Sequence, residues 1–322
     1  MDFVKRVAPE LREVLSLMPD LKLPDDLEMV RNFPIPQIEK SQHVITTSRL
    51  IAGPDQELFI KIYEPAHRSE TPLPAVLWIH GGGYMMGHPD MNDGLCEIFV
   101  KEANCVVVAV AYRLAPEHPY PAAIEDCYAC LSWMTAASTQ LNIDLERVAV
   151  AGASAGGGLA AALTLMTRDR NGPAIAFQMP LYPMIDDRNV TPSSLEITSS
   201  DAPWNRSRNI TGWSLYLGEH ASEEISPYAA PARATNLAGL PPAYTCVGQL
   251  DPFRDETIEY VTRLAQAGVP VEFHIFPGCY HGFEDIVPQA KVSLRARQEY
   301  VQALSRALNP EFIAEESIGK EV

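Results

Sequence analysis

Four stretches of the chain hold side chains suited to acyl transfer. A serine stands among small residues in Gly152-Ala153-Ser154-Ala155-Gly156. A carboxylate opens Asp251-Pro252-Phe253-Arg254-Asp255-Glu256, an imidazole opens His281-Gly282-Phe283, and a glycine run follows His80 in Gly81-Gly82-Gly83-Tyr84. A serine hydroxyl is a weak nucleophile until a base takes its proton. His281 is the candidate base. Asp251 is the candidate acceptor for the other imidazole N–H, fixing the tautomer and stabilising the imidazolium. The oxygen that turns negative on an attacked carbonyl needs donors already in place. The Ala155 N–H and the N–H groups of the run 81–83, unobstructed by side chains, can supply them. Losing one such donor typically costs about 2.7–4 kcal/mol of transition-state stabilisation.

A second template overlaps the first. Gly156-Gly157-Gly158-Leu159-Ala160-Ala161 fits the G-x-G-x-x-A dinucleotide pattern. That pattern calls for an acidic residue after the next strand, and Phe177 to Pro183 contains none. It also leaves the His80 glycine run and His281 unexplained. Each of the four stretches is weak alone: Asp251 could be a helix cap, His281 a loop histidine, and Asp255 and Glu256 favour a first helical turn. Their conjunction, each after a strand, assigns the glycines at 152 and 156 to a nucleophile elbow.

The elements that must position these residues are legible as apolar runs. Strands are expected near 44–51, 58–64, 75–80, 105–112, 147–153, 176–182, 243–250 and 272–276. Several are unbroken β-branched runs, as in strands buried on both faces of a parallel sheet. Helical stretches at 90–103, 121–138, 154–170, 254–267 and 286–307 alternate with the later strands. The class is therefore α/β with a doubly wound sheet, its first two strands forming an antiparallel edge. In such a sheet, function collects at the carboxyl ends of the strands, where all four stretches fall. Residues 1–42, with Phe3, Val7, Leu11, Val14, Leu15 and Met18 at helical spacing and Pro9, Pro19, Pro24, Pro34 and Pro36 as breaks, are expected to form an N-terminal helical cap segment. Residues 43–322 form the catalytic domain, with a cap insertion at about 186–222.

Composition bounds the partners. The chain has 322 residues and a formal net charge of −16, which argues against nucleic acid and anionic membranes. The N-terminal stretch is studded with charges and no apolar run is long enough to span a bilayer, so a cytoplasmic location is expected. Cys127 and Cys130 make a C-x-x-C pair, but inside a helical stretch with no second pair. Core packing is the expected role, and no metal site is expected.

With Tyr112 to Asp126 (YRLAPEHPYPAAIED) added, five ordered motifs resemble the bacterial hormone-sensitive-lipase-like (family IV) carboxylesterases of the α/β-hydrolase superfamily, from about residue 45 to the C-terminus. The resemblance implies an α/β-hydrolase fold: eight mostly parallel strands flanked by helices, with a small helical cap. It carries over Ser154, Asp251 and His281 as the triad and Gly82, Gly83 and Ala155 as oxyanion donors. It implies hydrolysis of short- to medium-chain esters without a cofactor, and a possible homodimer. Many members have Asp where this chain has Ala153, which leaves the triad intact. An amidase or deformylase with the same triad, a true lipase and a non-catalytic small-molecule receptor are the alternatives. Tyr84, Met85, Met86 and Trp204 are expected to line the substrate pocket, and His80 to hold its own loop.

Overall fold

The computed structural model describes residues 2–35, 41–68, 70–222 and 224–310; Pro36 and the C-terminal stretch from 311 lie outside them. The eight strands are β1 (Val44–Ala52), β2 (Glu57–Pro65), β3 (Leu73–Ile79), β4 (Val106–Val110), β5 (Ile143–Ala153), β6 (Phe177–Leu181), β7 (Ala243–Leu250) and β8 (Val271–Tyr280). They form one sheet in the order β1-β2-β4-β3-β5-β6-β7-β8. β2 runs antiparallel to both β1 and β4, and every other pairing is parallel. The fold is the eight-stranded, mostly parallel sheet of an α/β hydrolase.

Of the six longer helices, five pack on it, α1 (Asp93–Ala103), α2 (Ala122–Ala136), α3 (Ala155–Asp169), α5 (Arg254–Gln266) and α6 (Lys291–Leu308), and α4 (Arg206–Leu217) lies in the insertion. Strand periodicity sorts the core. Leu77, Ile79, Val108, Val110, Val148 and Val150 meet α2 and α3 on one face. Their neighbours Val76, Trp78, Val107, Ala109, Ala149 and Ala151 meet α1 and α6 on the other. With both faces covered the central strands cannot alternate apolar with polar, which is why they read as continuous apolar runs. Cys127 and Cys130 lie buried on the inner side of α2.

Two boundaries differ from expectation. β8 extends through Pro277 and Gly278 to Tyr280, past an apparent turn signal. It is an edge strand, where a proline lacking N–H need not break a ladder. The region 286–307 is divided between a single turn at Phe283–Ile286 and α6.

The N-terminal segment serves two neighbours. Phe3, Val7, Leu11 and Leu15 join the core on the α6 side, where Ala8 N–H donates to Gly278 O at 2.9 Å and Tyr280 Oη donates to Leu11 O at 3.2 Å. Farther on, Arg31 donates to the carbonyls of Met85 and Ala115 and pairs with Glu117. Contacts to the insertion run through Arg6 with Glu196 at 2.6 Å and Arg208 with Leu21 O at 3.3 Å.

Candidate active site

β5 ends at Ala153 and α3 begins at Ala155, so a single residue turns the chain. That residue is Ser154, with φ 58° and ψ −121°. A side-chain-bearing residue in this region costs on the order of 1–3 kcal/mol and persists only where its surroundings impose it. Here they do. Ser154 N–H donates to Leu181 O at 3.0 Å, and Ser154 O accepts from Gly158 N–H at 2.9 Å and Met184 N–H at 3.0 Å. A Cβ at Gly152 would strike the backbone of Gly156, and one at Gly156 would strike Ile79 and His80, so the turn closes only with hydrogen at both positions.

The hydroxyl meets two groups from other strand ends. His281, just past β8, has Nε2 2.8 Å from Ser154 Oγ and Nδ1 2.7 Å from Asp251 Oδ2. A carboxylate only accepts, so Nδ1 carries the proton and the Nε2 lone pair faces the hydroxyl. Asp251, directly after β7, is fully buried, and its Oδ1 takes the Phe253 N–H at 2.9 Å. The imidazole is boxed in by aromatic rings. Tyr182 and Phe253 approach it edge-on with centroids at 5.2 and 4.9 Å, and Trp204 stands at 6.2 Å.

The glycine run after β3 lies alongside. The Cα–H direction of Gly81 points at Ala153 O and Ser154 Cβ, where an added Cβ would be 3.0 and 3.4 Å away. Gly82 O accepts the N–H groups of Met85 and Met86, folding the run into a tight turn. The N–H groups of Gly82, Gly83 and Ala155 have no protein acceptor among the described residues. For Ala155 this follows from its place in the first turn of α3, where helix N–H groups lack intrahelical partners. His80 is buried beneath the run. It stacks on Tyr112 at 4.3 Å and makes a 2.7 Å hydrogen bond from Nδ1 to Gly81 O, while Tyr112 Oη donates to His80 O at 2.9 Å. Burial pushes the His80 imidazole down to about 4, so it stands neutral at pH 7.

The sequence pattern of the α/β hydrolase fold family matches residues 76–285, which spans every element of this site. The chain belongs to that family. Esterase LipI of Mycobacterium tuberculosis (strain ATCC 25618 / H37Rv) is 40% identical over 294 residues, covering 88% of this chain and 91% of LipI. Carboxylesterase NlhH of the same strain is 35% identical over 257 residues, 78% of each chain. Among solved structures, a bacterial heroin esterase superposes with a TM-score of 0.87 at 39% identity, covering 95% of this chain and 99% of that one. These relatives place this α/β hydrolase among the bacterial hormone-sensitive-lipase-like carboxylesterases.

Within the hydrolase, the four residues expected to line a pocket separate. Tyr84 and Met85 are corrections: at 1% and 0% exposed they belong to the core. The Tyr84 ring stacks on Tyr216 at 3.9 Å, and its hydroxyl donates to Met184 O at 2.7 Å, so it has no face left for a ligand. Met86 is half-buried against the same cluster. Trp204 is at the site, next to His281 and so tight on Gly83 that a Cβ there would be 2.5 Å from the indole. Ala153 lies in the apolar cluster on the α6 side of the sheet.

Other residues of the hydrolase site do more than their sequence context indicates. Tyr182, in sequence only the end of a strand, stands edge-on to His281. Asp255 and Glu256, expected only to favour a helix start, fasten loops instead. Asp255 accepts Ser193 N–H at 2.7 Å, and the Ser193 hydroxyl donates to Pro252 O at 2.8 Å. Buried Glu256 accepts the N–H groups of Ile185 and Asp186 at 2.9 and 3.2 Å, and burial pushes its carboxyl well above the usual range. The insertion is thereby tied to the loop that carries Asp251.

Proposed function

We propose that the chain is a serine carboxylesterase in which Ser154 is the nucleophile, His281 the general base and acid, and Asp251 the residue that orients His281. The observation carrying this reading is the continuous relay from Asp251 through His281 to a Ser154 held in a strained turn, with contacts of 2.7 and 2.8 Å. Ester hydrolysis is the activity its relatives are named for.

In the acylation step Ser154 Oγ attacks the ester carbonyl as His281 Nε2 takes its proton. His281 then gives that proton to the departing alkoxide, leaving an acyl-serine and an alcohol. Water attacks the acyl-serine, again losing a proton to His281, and the acid leaves as Oγ is reprotonated. The N–H groups of Gly82, Gly83 and Ala155 hold the carbonyl oxygen while it is negative, and their lack of other acceptors among the described residues supports this role. The reaction as drawn uses only these residues and water. The N-terminal segment 1–42, described over 2–35 and 41–42, and the insertion at about 186–222 together make the cap, a division supported by the Arg6–Glu196 and Arg208–Leu21 contacts. No helix among the described residues is long and apolar enough to cross a membrane.

The test is hydrolysis of p-nitrophenyl acetate through laurate by the wild type and by Ser154→Ala. The wild type turns over the shorter esters. The folded variant loses about four or more orders of magnitude in kcat. A wild type inactive on every ester overturns the reading.

A further inference from the structure

Trp204 is the insertion's point of entry into the site, and its ring is not held by packing alone. Its indole Nε1 donates to Asn209 Oδ1 at 3.2 Å, and Asn209 Nδ2 donates to Asn189 Oδ1 at 2.6 Å. Asn209 is fully buried on α4 and Asn189 is nearly so. The Asn189 end of this hydrogen-bonded chain is braced. Asn189 Nδ2 donates to Asp187 O at 2.9 Å, and its carbonyl accepts from Arg206, which also donates to Ser194 Oγ at 3.0 Å. Asp187 in turn pairs with Arg233 at 2.6 Å. Nothing in the triad or the oxyanion donors calls for a buried amide on α4. A buried amide that loses a partner is costly, so this arrangement has one well-defined geometry and few alternatives.

The geometry of the other side of Trp204 gives the chain a consequence. The indole lies against Gly83 and 6.2 Å from the His281 ring. Gly212, one turn beyond Asn209 on α4, approaches the same place: a Cβ there would be 3.2 Å from Gly83 O and 3.6 Å from the indole. The ring is therefore the wall between α4 and the reacting centre, and its position sets the room left beside the glycine run.

We propose that Asn209 is a specificity-determining positioning residue which, by holding the Trp204 indole against Gly83 and His281, sets the size of ester substituent that Ser154 accepts. It touches no substrate and acts through Trp204. The inference rests on the reading of Ser154 as a nucleophile. Freed from Asn209, the indole can swing off Gly83. Small esters then lose a fitted wall, and long ones gain room.

The experiment is a double-mutant cycle of Asn209→Leu and Trp204→Phe, read as the ratio of kcat/KM for p-nitrophenyl octanoate to that for the acetate. Asn209→Leu is expected to raise the ratio by about tenfold, the scale of coupling within one hydrogen-bonded network. On the Trp204→Phe background, with no indole N–H to hold, the same substitution is expected to change it by less than about twofold. An unchanged ratio in Asn209→Leu overturns the proposal, as does a full shift on the Trp204→Phe background, the mark of a general packing effect. Should Asn209→Leu fail to fold, Asn209→Ser completes the same cycle. The cycle is run in parallel with methyl and octyl p-nitrophenyl phosphonates, read as the rate of covalent labelling of Ser154. Should the wild type be labelled yet hydrolyse no ester, the esterase reading fails while the phosphonate ratios still decide the role of Asn209. A Ser154 that neither turns over nor labels overturns both.

Discussion

Gly156 lies so close to Ile79 that a methyl group on its Cα would overlap the Ile79 carbonyl oxygen. Both partners are backbone in a central sheet and its packed helix, so neither can yield cheaply. Gly156→Ala is expected to cost about 1–3 kcal/mol, the usual range for overpacking, and to lower kcat by displacing Ser154 from His281. Urea unfolding beside steady-state kinetics checks this. Wild-type stability and turnover in the variant would show that the elbow tolerates the side chain.

Asp251 and His281 give a second expectation. An asparagine at 251 can donate to Nδ1 and so favour the tautomer with its proton on Nε2, facing Ser154. Asp251→Asn is expected to lower kcat by about four orders of magnitude while leaving the fold intact, because the oxygen that accepts Phe253 N–H is retained. Far-UV circular dichroism with active-site titration separates loss of chemistry from loss of structure.

His80 makes stability depend on acid. Burial holds its folded value near about 4, against about 6.5 for an unfolded histidine. Between those values the unfolded chain binds a proton that the folded chain does not. Stability is therefore complete above about pH 6.5 and falls as pH drops toward about 4, by at most about 3 kcal/mol. His80→Asn, which can still hydrogen-bond to Gly81 O, is expected to lose this slope in a series of denaturant midpoints. A variant with an unchanged slope would place its origin elsewhere.

Glu284 acts with the opposite sign. It is buried just past His281, neither carboxyl oxygen has a well-formed hydrogen bond among the described residues, and Arg297 reaches only its backbone carbonyl. Burial, with Asp285 adjacent, pushes its carboxyl up to about 8 from 4.5. The stability it confers is present below about pH 4.5 and is lost as pH rises through about 8, because the folded chain must keep a proton that the unfolded chain releases. Glu284→Gln is expected to flatten that alkaline loss. Melting temperatures across about pH 4–9, which span the shift, test it, and parallel curves for the two proteins would exclude the assignment.

Arg113 grips buried Asp126 through Nε and Nη2 and reaches Asp55 with Nη1 at 2.5 Å. Removing the guanidinium strands a fully buried carboxylate. Arg113→Ala is expected to lose about 3–5 kcal/mol, and Arg113→Lys to restore only part, since one ammonium cannot reproduce the forked contact. Equilibrium unfolding measures both. Equal stability of Arg113→Ala and wild type would mean that Asp126 is neutral or otherwise satisfied.

The sheet and the strand ends that carry the candidate triad follow from the amino-acid pattern. Strands covered on both faces leave continuous apolar runs such as Val106–Val110, and the ends of parallel strands must share one edge. Ser154, Asp251 and His281 were therefore legible as neighbours although 127 residues separate the first from the last. The elbow was legible too, because a one-residue reversal from strand to helix restricts residue type locally. Tertiary structure alone decided what depends on partners distant along the chain. Tyr84 became core because its hydroxyl found Met184 O, a hundred residues on. Glu256 became a loop anchor because Ile185 and Asp186 present their N–H groups to it. The same holds for Trp204, where the reach of the indole to Asn209 and the seat of its ring on Gly83 are set by how the insertion packs on the loop after β3. Spacing encodes what a strand end must present. Packing between segments chooses which side chains stand around it.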